Sequence, residues 1–236
     1  MKHVITKGVL ALLFSLPVTA NTFPAPEEKR VALVIGNSQY PQSIGELANP
    51  IHDAEDMAAL LTSLNFEVIL ITNATYAQMR MGVQQFYDKL FNGPKDQTVG
   101  LFYYAGHGLQ YQNENYLVPV DASVQYEDDI VRMCFPMQRM VLNNMERSNA
   151  SMNIVILDAC RNNPFPATHR SLGGGLAEIQ RAKGSFIAYA TAPGSVAADG
   201  VGGRNGLYTQ ELLRALAIPG IPIEQTFKIV RRNVLR

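Results

Sequence analysis

Short, almost wholly apolar runs punctuate this chain, and amphipathic stretches fall between them. Arg30 to Ile35 (RVALVI), Phe66 to Ile71 (FEVILI), Val99 to Ala105 (VGLFYYA), Asn153 to Leu157 (NIVIL) and Ser185 to Ala190 (SFIAYA) each have the length of a strand. Apolar residues at successive positions, without alternation, suit strands covered on both faces, as in a parallel sheet. Asn49-Pro50 supplies an N-cap and a proline at the first helical position. Asp53, Glu55 and Asp56 favour the positive helix start, and Ala54, Met57, Ala58, Leu61 and Leu64 form one apolar face. Tyr76, Met79, Val83, Phe86 and Leu90 recur at helical spacing across Thr75 to Phe91. Further helices are predicted around Met137 to Met145 and Tyr208 to Ala217, and in Ile223 to Arg236, where the absence of a stop signal predicts a natural chain longer than this one. Strands alternating with helices imply right-handed crossovers, hence an α/β fold: a three-layer α/β/α sandwich on a mainly parallel central sheet.

Composition narrows the class. With 47% hydrophobic and 17% charged residues among 236, the chain can bury a sizeable core. Its 20 Lys and Arg balance 20 Asp and Glu, which excludes the basic footprint of a nucleic-acid binder. Lys2 and Lys7 precede the apolar stretch Gly8 to Val18, and Val18-Thr19-Ala20 offers small residues for cleavage, so residues 1–20 read as a secretory signal, 21–29 as a linker and 30–236 as one domain. The apolar stretch is too short to span a bilayer, so the expectation is an exported protein, periplasmic or secreted, with no stable membrane anchor after signal cleavage. Only Cys134 and Cys160 are available for a disulfide, and they lie in different settings. Cys134, beside Phe135-Pro136, reads as structural.

Two apolar runs lead directly into reactive side chains, at Gly106-His107-Gly108 and at Asp158-Ala159-Cys160-Arg161. In open α/β sheets the functional crevice lies at the carboxyl ends of the strands, where residues distant in sequence meet. A free thiol of pKa about 8.5 is mostly protonated at neutral pH, and a neighbouring imidazole can take its proton. His107 and Cys160 therefore form a candidate base and nucleophile, with the N–H groups of Gly108 and Cys160 as candidate oxyanion donors. Gly173-Gly174-Gly175 is followed by Leu176 rather than by Lys and Ser or Thr, so it is no phosphate loop, and no HExxH or paired CxxC pattern supports zinc.

The blocks Tyr103-Tyr104-Ala105-Gly106-His107-Gly108, Tyr116-Leu117-Val118-Pro119-Val120-Asp121 and Asp158-Ala159-Cys160-Arg161-Asn162-Asn163-Pro164-Phe165 resemble the histidine and cysteine blocks of bacterial metacaspase-like (orthocaspase) domains of the caspase superfamily. The likeness continues through Ala192-Pro193-Gly194 and Ala198-Asp199-Gly200, and covers the chain from Lys29 onward. It implies a caspase-like fold and a cysteine endopeptidase that forms a thioester acyl-enzyme. In caspases that cut after aspartate a glutamine and an arginine line the specificity pocket. Asp158 and Leu47 stand at those places here. The resemblance instead implies an acidic S1 pocket made by Asp158 and Asp53, and a protein or peptide substrate with Arg or Lys at P1. Ala105 and Pro50 depart from the family's usual serine and cysteine. No cofactor is required. Calcium regulation through Glu114, Asp128 and Asp129 is an option that the resemblance leaves open, although Ala167 replaces one further acidic position. Asp53 also has a plain structural reading, as a first-turn carboxylate, and the alternative to an enzyme is a catalytically idle module that binds peptides or partner proteins. The basic, Gly-rich connection Arg161 to Lys183 is the expected place of any self-cleavage, after Arg170, Arg181 or Lys183.

Overall fold

The computed structural model describes residues 28–160, 165, 176, 184–190 and 203–235, with Cys160 described through its backbone. The expected signal and most of the linker lie outside the described residues. So do Arg170, Arg181 and Lys183, and the segments 192–194 and 198–200. Five strands form a parallel array: β1 (Lys29–Gly36), β2 (Phe66–Thr72), β3 (Thr98–Tyr111), β6 (Ala150–Cys160) and β7 (Ser185–Tyr189), in the spatial order β2-β1-β3-β6-β7. Beyond His107, β3 continues into a small antiparallel extension with β4 (Glu114–Leu117) and β5 (Phe135–Pro136).

The uninterrupted apolar runs have the cause inferred from the sequence, because helices cover both faces of the sheet. Val31, Leu33 and Ile35 of β1, Phe102 and Tyr104 of β3, and Val155 and Leu157 of β6 pack against α2 (Tyr76–Phe91) and the residues around α4 (Asn143–Glu146). The alternate positions, Ala32 and Val34, Leu101 and Tyr103, Ile154 and Ile156, face α1 (Pro50–Ser63), α5 (Leu207–Leu216) and α6 (Ile223–Val234). This is the expected three-layer sandwich. A third apolar cluster, including Tyr40, Ile44, Val118, Ile130 and Cys134, lies under the antiparallel extension together with α3 (Glu127–Met133). Cys134 is fully buried, and burial pushes its thiol up to about 12, in keeping with a structural role.

Some boundaries differ from the sequence reading. The strand expected to end at Ala105 runs on to Tyr111, so His107 sits inside a strand rather than in a loop after one. The predicted helix Met137 to Met145 is a π-helical stretch, Gln138–Leu142, followed by the short α4. Asn49 is at the N-cap of α1 but its side chain makes no capping bond there. Among the described residues no helix is long and apolar enough to cross a membrane.

Candidate active site

Parallel pairing of β3 with β6 brings the two reactive positions side by side. Ala105 stands opposite Asp158, Gly106 opposite Ala159, and His107 opposite Cys160, the last residue of its strand. Gly108 packs closely on the same neighbour, since a Cβ there would come within 3.1 Å of the Ala159 Cβ.

His107 is buried and held on all sides. Its Nε2 lies 2.9 Å from the Gly45 carbonyl oxygen. A carbonyl only accepts, so the proton is on Nε2 and the basic nitrogen of the neutral ring is Nδ1. The backbone N–H of His107 donates to Tyr40 Oη at 3.0 Å, while its carbonyl accepts from Tyr104 Oη at 2.8 Å and from the Val118 N–H at 3.0 Å. The Tyr40 ring lies 4.6 Å from the imidazole, centroid to centroid, tilted by 57°. Beside these tyrosines Gly106 continues the strand with φ of +153°. A Cβ there would fall 2.6 Å from Tyr40 Oη and 2.8 Å from Tyr104 Oη, so glycine is the residue that fits.

Asp158 follows Ile154 and Ile156 on the face of β6 that looks toward α1 and α5, and strand alternation carries its half-buried side chain to the N-terminus of α5. There Thr209 Oγ1 donates to Asp158 Oδ2 at 2.6 Å. The Tyr103 hydroxyl, fully buried, lies 2.6 Å from the same Thr209 oxygen. Thr209 has one proton and gives it to the carboxylate, so Tyr103 is the donor in the second bond. Burial, reinforced by Asp158 and Asp53, keeps Tyr103 well above its ordinary pKa.

Asp53, in the first turn of α1, reaches the same point. It is 3% exposed, and its Oδ1 accepts the Gly206 N–H at 2.9 Å. Burial raises its pKa to about 7, and the neighbouring charge of Asp158 adds to the rise. Both predicted pocket carboxylates thus converge at the start of α5, where the helix dipole favours negative charge. Arg204, just before α5, forks onto Asp56 at 2.9 and 3.1 Å and reaches Glu55 at 3.3 Å, which ties this turn to α1.

Of the three residues that the resemblance links to calcium, Glu114 and Asp129 accept backbone N–H groups. Glu114 Oε1 accepts from the Gln138 N–H at 2.8 Å and the Arg139 N–H at 3.3 Å, capping the π-helical stretch. Asp129 Oδ2 accepts from the Tyr126 and Gln125 N–H groups at the start of α3, and these donors hold its carboxyl below the ordinary value. Asp128 lies in the same helix. Among the described residues no group of three His, Cys, Asp or Glu side chains could hold a metal ion.

The sequence reading did not find Tyr40, Gly45, Tyr104, Tyr103, Thr209 or Gly206 as parts of the site. Tyr103 and Tyr104 belong to an apolar run and to the histidine block, neither of which assigns their hydroxyls a partner, and Tyr40 and Gly45 lie in an irregular loop without periodicity. Asn205-Gly206 ahead of an amphipathic helix is the signal that would have pointed to a helix N-terminus here.

A mainly parallel sheet with a histidine and a cysteine paired at its carboxyl edge defines a caspase-like domain, and the family comparison agrees. The caspase domain of peptidase family C14 matches residues 29–236, so the chain belongs to that family of cysteine-type peptidases. It is 34% identical over 132 residues to the mucosa-associated lymphoid tissue lymphoma translocation protein 1 of Homo sapiens, and 33% identical over 132 residues to its homolog in Mus musculus. These matches take in 56% of this chain and 15% of each relative, so the chain spans a small part of their length. Protein GSU0716 from Geobacter sulfurreducens shares the fold, with a TM-score of 0.62 at 17% identity over 86% of this chain and 88% of that one.

Proposed function

We propose that this domain is a metacaspase-like endopeptidase that cleaves protein or peptide substrates after arginine, and less readily after lysine, through a Cys160–His107 dyad. The observation that carries this reading is the register of β3 on β6, with His107 opposite Cys160 and the imidazole Nε2–H bonded to Gly45. Nδ1 takes the thiol proton, and the thiolate attacks the scissile carbonyl carbon. The resulting oxyanion is stabilised by the N–H groups of Gly108 and Cys160. As the C–N bond breaks, the imidazolium returns its proton to the leaving amine and a thioester remains. Water, deprotonated by His107, then attacks the thioester and releases the acid, restoring the thiol.

Specificity for a basic P1 residue is supported by the two carboxylates at the α5 N-terminus. A guanidinium can pair with them by parallel hydrogen bonds, which an ammonium cannot match. Losing one partner of such a pair costs about 2–5 kcal/mol, so Asp158→Asn is expected to lower kcat/KM for an arginine peptide by roughly thirty-fold to a few thousand-fold. Matched fluorogenic peptides with Arg, Lys, Asn or Asp at P1, assayed on wild type, Cys160→Ala and His107→Ala, test the whole reading. Near-normal turnover by Cys160→Ala would remove the nucleophile from it, and preferred cleavage after Asp would remove the acidic pocket.

A further inference from the structure

The tyrosine beside the imidazole has no part in the mechanism so far, yet one loop supplies both groups that hold the ring. The loop between β1 and α1 carries Tyr40 and Gly45, and is itself pinned. The Ser38 and Gln39 N–H groups donate to Asn73 Oδ1, Leu47 N–H donates to the Ser38 carbonyl, and Gly45 N–H donates to the Pro41 carbonyl. Tyr40 is 3% exposed, and its hydroxyl accepts from His107 N–H while donating to the Val118 carbonyl at 3.1 Å. That hydroxyl ties the His107 amide to the Val118 carbonyl, beside the direct bond from the Val118 N–H to the His107 carbonyl. Its ring meets the imidazole at 4.6 Å.

We propose that Tyr40 is the positioning residue for His107: its hydroxyl sets the height of the histidine backbone and its ring holds the imidazole in the orientation that gives the Nε2 proton to Gly45. The inference rests on the reading of His107 as the base for Cys160. An aromatic face within about 6 Å of a cation also stabilises it, so the ring favours the imidazolium that forms when the thiol proton is taken. Tyr40 touches no reacting atom in this scheme and acts through the histidine.

The test separates the ring from the hydroxyl. The rate of Cys160 alkylation by chloroacetamide is followed from pH 5 to 9 in wild type, Tyr40→Phe, Tyr40→Leu and His107→Ala, together with kcat and KM on one arginine peptide. The imidazole ¹⁵N shifts of His107, which report its tautomer, are read in the folded proteins without substrate. Tyr40→Leu is expected to shift the acidic limb of alkylation upward by roughly 0.5–1 pH unit and to mix the two His107 tautomers. Tyr40→Phe keeps the ring, and so is expected to keep the tautomer and the limb, but to lower kcat about tenfold at unchanged KM as the backbone anchor is lost. A wild-type tautomer and limb in folded Tyr40→Leu, or a wild-type kcat in Tyr40→Phe, overturns the proposal. Should Tyr40→Leu not fold, the kcat of Tyr40→Phe decides. An alkylation profile in His107→Ala identical to wild type would instead overturn the role of His107, a different result from failure at Tyr40.

Discussion

Asp53 and Asp158, from different elements and 105 positions apart (158 − 53), bring their carboxylates to one glycine: a Cβ on Gly206 would stand 3.3 Å from Asp53 Oδ2 and 4.0 Å from Asp158 Oδ2. Two carboxylates so near each other cannot both ionise without mutual cost, and the more deeply buried one carries the consequence.

That consequence is a measurable pH dependence. The carboxyl of Asp53 has its folded pKa raised to about 7, first by burial and then by Asp158, from an ordinary value of 3.8. A group whose pKa rises on folding stabilises the fold fully below its unfolded pKa, and this stabilisation is lost as pH climbs through the folded value. Between about pH 4 and 8 the Tm of wild type should therefore fall relative to that of Asp53→Asn. A bound arginine side chain favours the ionised pair, so it should weaken this slope, and the inhibition constant of a peptide aldehyde ending in arginine should worsen as pH drops below 7. Thermal melts and inhibition measured across that range check both statements.

Gly206→Ala probes the pocket while keeping the N–H that Asp53 accepts. The backbone at Gly206, φ −59°, suits alanine, but the new methyl would press on Asp53 Oδ2. The expected outcome is a modest loss of stability, about 1 kcal/mol, with a larger loss of kcat/KM for the arginine peptide, tenfold or more. Equal and small losses in both would mean that the space above Gly206 is not where substrate binds.

Thr209 is the link between a fully buried phenol and Asp158. Thr209→Val preserves shape but leaves the Tyr103 hydroxyl and one carboxylate oxygen without that partner, which should cost about 1–3 kcal/mol. Thr209→Ser restores the hydroxyl and should recover most of the loss. Urea denaturation of the three proteins gives the comparison.

Gly106→Ala should be worse than any of these, because the added methyl would meet two buried tyrosine hydroxyls at under 3 Å on a backbone with φ of +153°. A destabilisation of roughly 2–4 kcal/mol is expected, with activity lost even in the folded fraction. Circular dichroism melts and active-site labelling report the two effects separately.

Much of this architecture is written in local patterns. The apolar runs of β1, β3 and β6 are legible because cover on both faces of a strand leaves few polar positions to interrupt the run; β2 and β7, at the sheet ends, keep apolar runs although they are only partly buried, and Asn49-Pro50 marks the start of α1 by its restricted backbone. Legible too, once strand ends are taken as the reactive edge, is the pairing of His107 with Cys160. What local pattern does not carry is contact between distant segments. Thr209 at the foot of Asp158, Gly45 at the back of His107 and Tyr40 under its amide each depend on where a loop or helix end lands after the sheet has formed. The continuation of β3 past Ala105 is hidden for another reason: Gly106 and Gly108 read as a loop, whereas here glycine serves close packing inside a strand.

That continuation has a bearing on cooperativity. β3 is paired with β1 up to Ala105, with β6 up to His107, and with β4 from Gly108 to Tyr111, so the histidine sits where one ladder passes into the next. The ladder amides on either side of it exchange with solvent when their ladder opens, and their hydrogen exchange should approach the rate set by global unfolding, whereas the His107 amide, bonded to the Tyr40 hydroxyl, follows that loop. Fraying of a terminus will not release the backbone of His107, which stays in the sheet until the two ladders come apart.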